Sequence, residues 1–91
     1  MPIDTGDLSD KTYRAIMIEA ERFDHNLTLQ FGLLSYECKD EPDFIKKSKQ
    51  LINRMLKYGE GQIDDMFFGE PPNIIEFHKA LNKILLNISQ L

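Results

Sequence analysis

Apolar residues recur every three or four positions through the first part of the chain, which is the spacing of one face of an α-helix. The spacing begins at Tyr13 and continues without interruption to Cys38. Ser9, just before it, is a favourable N-cap residue. The pattern predicts one long helix over about 9–39. Before it, the short polar segment 1–8 is predicted to be a flexible N-terminus.

A second helix is predicted over about 42–58. Acidic residues surround Pro42 at its start, where the helix dipole favours negative charge and proline is tolerated. Gly59 follows its last apolar residue, as is common at helix C-termini. Apolar side chains occupy one side of this helix and cations and amides fill the rest, so this is the most clearly amphipathic segment of the chain.

A third helix is predicted over about 73–90, where Asn73 and Glu76 have the spacing of a capping box. Residues near 62–67 keep helical spacing and predict a short helical turn. No segment alternates with a period of two residues, so the sequence predicts no sheet. The predicted fold is all-α: a small bundle of one long and two shorter helices, in a single domain over 9–91.

Two adjacent phenylalanines precede the turn sequence Gly69-Glu70-Pro71-Pro72. Phe67 fits the apolar spacing and is predicted to lie in the core. Phe68 does not fit it. Two interpretations of Phe68 stay open: it covers one end of the bundle, or it stands on the surface as an exposed hook.

Composition narrows the function classes. The chain has 91 residues and a net charge of −4, so its overall charge does not attract phosphate backbones. The single cysteine, Cys38, fits a reducing compartment. The acidic N-terminus is unlike a secretory signal, and no apolar run is long enough to span a membrane. We therefore expect a cytoplasmic protein that does not associate with membranes.

Catalytic motifs are missing from the sequence. It has no phosphate-binding loop, nucleophile elbow or metalloprotease helix. Glu21 and His25 are four residues apart, but paired Glu-x-x-His motifs of helical di-metal sites are absent, which makes a metal-dependent enzyme the least favoured class. His78 is interpreted as a half-buried structural histidine. We expect no catalysis and no cofactor or metal.

One side of the second predicted helix carries five cations. A run of like charges is usually a solvated helix face. Two other interpretations stay open: the cations contact an acidic protein or nucleic acid, or they face the acidic residues of the first helix. The set, called the basic face below, comprises Lys46, Lys47, Lys49, Arg54 and Lys57.

A second apolar stripe lies roughly opposite the core side of the first predicted helix. A three-helix monomer leaves such a stripe uncovered, and its heptad-like spacing is typical of a helix-to-helix contact. The sequence thus predicts a small non-catalytic interaction or scaffold module that forms a homodimer through its first helix. The alternative is a regulatory protein that binds nucleic acid or an acidic protein through the basic face. The stripe consists of Ile18, Arg22, His25, Leu29, Gly32, Leu33 and Tyr36.

Overall fold

Residues 3–91, the part of the chain described by a computed structural model, form five α-helices, a single 3-10 turn at Thr5–Asp7 and no strand. The predicted all-α class is confirmed. Helix α1 covers residues 10–23 and contains a π-helical stretch, Tyr13–Ile18. The others are α2 (His25–Ser35), α3 (Glu41–Met55), α4 (Glu60–Met66) and α5 (Ile74–Ser89).

The predicted helix over 9–39 is divided at Asp24, so it is not one long helix. Asp24 has an extended backbone, with φ −166° and ψ 141°. Its Oδ1 accepts a hydrogen bond of 2.8 Å from the backbone N–H of Asn26, which makes Asp24 the N-cap of α2. Aspartate competes for backbone N–H groups in this way and therefore favours caps over helix interiors. Cys38 lies beyond the end of α2.

The later helices begin close to their predicted positions. The Asp40 side chain accepts from the N–H of Asp43 at 2.9 Å, with Pro42 in the first turn of α3. Asn73 caps α5 by accepting from the N–H of Ile75 at 2.8 Å. The predicted capping box with Glu76 does not form. Glu76 instead lies 3.6 Å from the Lys79 ammonium group.

The core lies where α1, α2, α3 and α5 pack together, and α4 covers it with Ile63. Phe67 is buried as predicted and meets Phe77 edge to face, with ring centroids 5.6 Å apart. It also meets Phe23 at 6.3 Å. Edge-to-face contact is the favourable geometry for aromatic pairs. Tyr13, where the apolar spacing of the first predicted helix begins, is 38% exposed and so is not a core residue.

The segment before α1 contacts the rest of the domain. Ile3 donates its N–H to the Cys38 carbonyl oxygen at 2.9 Å, and Leu8 is buried. The Ser9 hydroxyl donates to the Glu41 carboxylate at 3.2 Å, which joins the start of α1 to the start of α3. Residues 1 and 2 of the predicted flexible N-terminus lie outside the described residues.

The radius of gyration is 12.5 Å, close to the roughly 12 Å typical of a compact chain of this length. Within residues 3–91, no helix is both long and apolar enough to cross a membrane.

Candidate functional site

The C-terminal part of the predicted second stripe lies on one side of α2. Leu29, Leu33 and Tyr36 are 44%, 63% and 69% exposed. Together with Gly32 they form what we call the α2 face. These residues border a shallow groove of about 250 Å³ whose other wall includes Asp4 and Thr5. Three large apolar side chains on adjacent turns of one helix thus remain open to solvent.

No contact inside the monomer requires a residue as small as glycine at position 32 of this face. A Cβ built on Gly32 would meet no atom within 4 Å beyond its own helix backbone. Glycine in a helix interior costs about 1 kcal/mol relative to alanine. The small residue therefore leaves space on the outer surface of α2, which is where a neighbouring helix could approach closely.

Part of the predicted stripe is separated from the α2 face. Ile18 and Arg22 belong to α1, before the break at Asp24, and border a different groove. His25 is exposed, and its Nδ1 lies 3.0 Å from an oxygen of Glu21. The structure therefore brings Leu29, Gly32, Leu33 and Tyr36 together on α2, with His25 in the first turn of the same helix, four residues before Leu29, while Ile18 and Arg22 lie on α1.

The contact between Glu21 and His25 spans the break between α1 and α2. The hydrogen bond from His25 lowers the pKa of the Glu21 carboxyl below its ordinary range. Both side chains are largely exposed, so this contact contributes little to stability.

The basic face on α3 and the turn after it contains one engaged cation. The Lys47 ammonium group lies 3.3 Å from the Asp43 carboxylate and donates to the Glu37 carbonyl oxygen at 2.7 Å. Asp43 also accepts from the N–H of Lys39, and this bond is the main cause of a lowered pKa for the Asp43 carboxyl. The other four cations are exposed and form no ion pair with the described residues: Lys46, Lys49, Arg54 and Lys57.

A larger groove runs between α1 and the C-terminal end of α5, with a volume of about 640 Å³. Three cations border it, no acidic residue does, and Ala15, Ile18 and Leu91 supply apolar surface. We call it the cationic groove. Sequence reasoning missed it because its two walls are far apart in sequence and acids alternate with the cations along α1. The cations are Lys11, Arg14 and Arg22.

Phe68 lies on the surface and is 87% exposed, more than any other large apolar side chain in residues 3–91. Gly69 follows it with a positive φ of 85°, a conformation that favours glycine. Phe68 therefore does not cover the end of the bundle, and its role as a hook stays a prediction.

The remaining candidates for chemistry are dispersed. Cys38 is buried, its Sγ donates to the Leu34 carbonyl oxygen at 3.3 Å, and burial raises the pKa of its thiol. His78 is half-buried on α5. No group of three or more His, Cys, Asp or Glu side chains within residues 3–91 has the arrangement of a metal site.

The chain matches no protein-family model, no curated protein and no solved structure.

Proposed function

We propose that this chain is a small, non-catalytic helical interaction module that self-associates through the α2 face. One observation carries the proposal: three large apolar side chains are exposed around a helix glycine that the monomer's own packing does not require. Burial of apolar surface is worth about 25 cal/mol per Å², which is the favourable term that a second copy would supply.

A second copy suits this surface because its edges carry both signs of charge. Leu33 also borders a groove that contains Arg54 and Glu37. Asp4 borders the other groove that Leu33 lines, together with the rest of the α2 face. In a two-fold contact each residue meets the same surface on its partner, so Arg54 of one copy can face an acid of the other.

The break at Asp24 limits the size of this contact. The 11 residues of α2 extend about 16 Å at 1.5 Å per residue, which is far shorter than the predicted stripe over both segments. A standard stable interface buries about 800 Å² per partner, and a short helix face provides less. The α2 contact alone is therefore expected to give a dimer that dissociates on dilution.

Sedimentation equilibrium tests this proposal. Leu29→Glu places a carboxylate in the contact twice, so we expect it to weaken dimerisation at least about tenfold. Leu86→Glu is the matched control, because Leu86 is a comparably exposed leucine (53%) on α5, outside the α2 face. It should leave the dimerisation constant unchanged. A wild-type monomer at high micromolar concentration would overturn the proposal, as would equal effects of the two substitutions.

A second candidate function is supported by the four unpaired cations of the basic face. A polyanion, either nucleic acid or an acidic protein, would find these side chains available, and binding to nucleic acid would weaken steeply as salt rises. A mobility shift with duplex and single-stranded probes tests it at low salt. Loss of the shift in Lys46→Glu/Lys49→Glu supports this function, and an unshifted probe rejects the nucleic-acid form of it.

A further inference from the structure

We infer that the cationic groove receives the Phe68 corner of a second copy of this chain. The corner is defined here as residues 60–70. This contact uses none of the residues of the α2 face, so it can be tested independently of the two-fold dimer. Its two surfaces have opposite charge and both expose apolar groups.

The groove has the chemistry of a site for an acidic, aromatic knob. Its three cations stand on α1 between positions 11 and 22, a span of about 16 Å, which is long enough for more than one ion pair. Ile18 and Leu91 provide apolar contact between and beside them. Arg14 already forms an exposed ion pair with Asp10 on α1, with Nε 3.1 Å from Oδ2, whereas Arg22 has no ion pair among the described residues. Arginine side chains also bind aromatic ring faces, so Arg14 and Arg22 can contact a phenyl ring as well as carboxylates.

The corner has the complementary chemistry. Residues 60–70 contain four acids and no lysine or arginine, on a chain whose net charge is only −4. All four acids are exposed: Glu60, Asp64, Asp65 and Glu70. Phe68 stands among them at 87% exposure, and the buried Phe67 next to it fixes the base of the knob in the core.

The occupant is a second copy because the complementary knob is present on the chain itself. A nucleic acid would leave Ile18 and Leu91 without an apolar partner, and the groove offers no aromatic side chain for base stacking. Knob and groove are different surfaces, so the contact is head-to-tail and leaves a free knob at one end and a free groove at the other. Combined with the two-fold α2 contact, it would produce assemblies larger than a dimer.

Complementation between two variants tests this contact, with both made in a Leu29→Glu background so that the α2 face does not contribute. The knob variant carries Phe68→Ser and keeps its groove. The groove variant carries Arg14→Glu and Arg22→Glu and keeps its knob. All three side chains are exposed, so the fold should persist, which circular dichroism checks.

The Leu29→Glu parent should associate in sedimentation velocity, and each variant alone should associate at least about tenfold more weakly. An equimolar mixture should form a one-to-one complex that does not grow further, because only one intact knob and one intact groove remain. Raised salt should weaken this complex. A parent that stays monomeric at high micromolar concentration overturns the inference, as does a mixture that associates no better than its components.

Two fluorescent probes, oligoglutamate and oligothymidylate, separate this occupant from foreign polyanions. Suppose that a probe binds the Leu29→Glu parent but not the groove variant, and that the equimolar mixture of the two variants stays monomeric. That result would assign the groove to another acidic partner and overturn the head-to-tail contact. The two variants could fail to complement each other although Leu29→Glu still weakens association of the wild-type protein. That outcome would refute the head-to-tail contact and leave the proposed function intact.

Discussion

The side-chain amide of Asn87 on α5 donates to two oxygens of α1, the Ala15 carbonyl and the Glu19 carboxylate, each at 3.2 Å. Ala15 lies inside the π-helical stretch Tyr13–Ile18. In a π-helix the regular hydrogen-bond ladder is displaced, and a side chain that bonds to a backbone carbonyl is one recognised cause of such irregularity. Asn87 thus joins the two walls of the cationic groove at the irregular turn.

Replacement of Asn87 should destabilise this junction. We expect Asn87→Ala to lower the free energy of unfolding by about 1–3 kcal/mol, since one of the lost hydrogen bonds involves a carboxylate. Urea denaturation measures this change. Asn82→Ala on the exposed side of the same helix is the matched control and should stay within about 0.5 kcal/mol. Equal losses in the two variants would show that the Asn87 contacts do not join the helices.

The break at Asp24 should depend on its side-chain oxygen. Asp24→Ala removes the N-cap of α2 and should cost about 0.5–2 kcal/mol, whereas Asp24→Asn keeps an accepting oxygen and should cost less. Urea denaturation of both variants measures the difference. If alanine stabilises the protein instead, residues 10–35 prefer one continuous helix and the assignment of Asp24 as a cap is wrong.

Sequence pattern could predict α3 but could not predict this break. Along α3 the local pattern and the packing agree: Ile52 and Met55 are buried, and Lys49 is exposed. Across Asp24 the spacing from Phe23 to Leu27 is four residues with or without a break, so periodicity carries no signal. The helix breaks at position 24 because the aspartate side chain caps α2. The cationic groove forms because the two ends of the chain pack against each other. Neither interaction leaves a trace in the periodicity.

The two adjacent phenylalanines should respond oppositely to truncation. Phe67 is 6% exposed within an aromatic cluster, so Phe67→Ala should lower the free energy of unfolding by about 3–5 kcal/mol. Phe68→Ala should change it by less than about 0.5 kcal/mol, because that ring has almost no contact to lose within the monomer. Denaturation at low protein concentration measures both. Similar costs would contradict the outward direction of Phe68.

The contact between Glu21 and His25 should be visible in a pH titration. The pKa of Glu21 is lower in the folded than in the unfolded state, so this group stabilises the fold above its unfolded pKa. That contribution is lost as pH falls through the folded pKa. Carbon-detected NMR should place the Glu21 midpoint below the ordinary value of about 4.3. His25→Ala should raise the midpoint, and an unchanged midpoint would show that His25 is not the cause.

Gly32 provides a prediction in which stability and association change in opposite directions. Gly32→Ala should stabilise the monomer by about 0.5–1 kcal/mol, because alanine favours the helix and its Cβ meets no neighbour. The same methyl group should weaken dimerisation if a second helix approaches this position closely. Urea denaturation at low concentration and sedimentation equilibrium measure the two effects. Unchanged dimerisation would exclude close helix approach at Gly32.

Self-association through the α2 face is tested most directly by an amide NMR dilution series of the wild-type protein. We expect the amide resonances of residues 29–36 to move progressively with concentration in the wild type and to stay fixed in Leu29→Glu. That result would locate the contact on the exposed side of α2. Resonances of residues 29–36 that keep their positions from low to high micromolar concentration in the wild-type protein would contradict it.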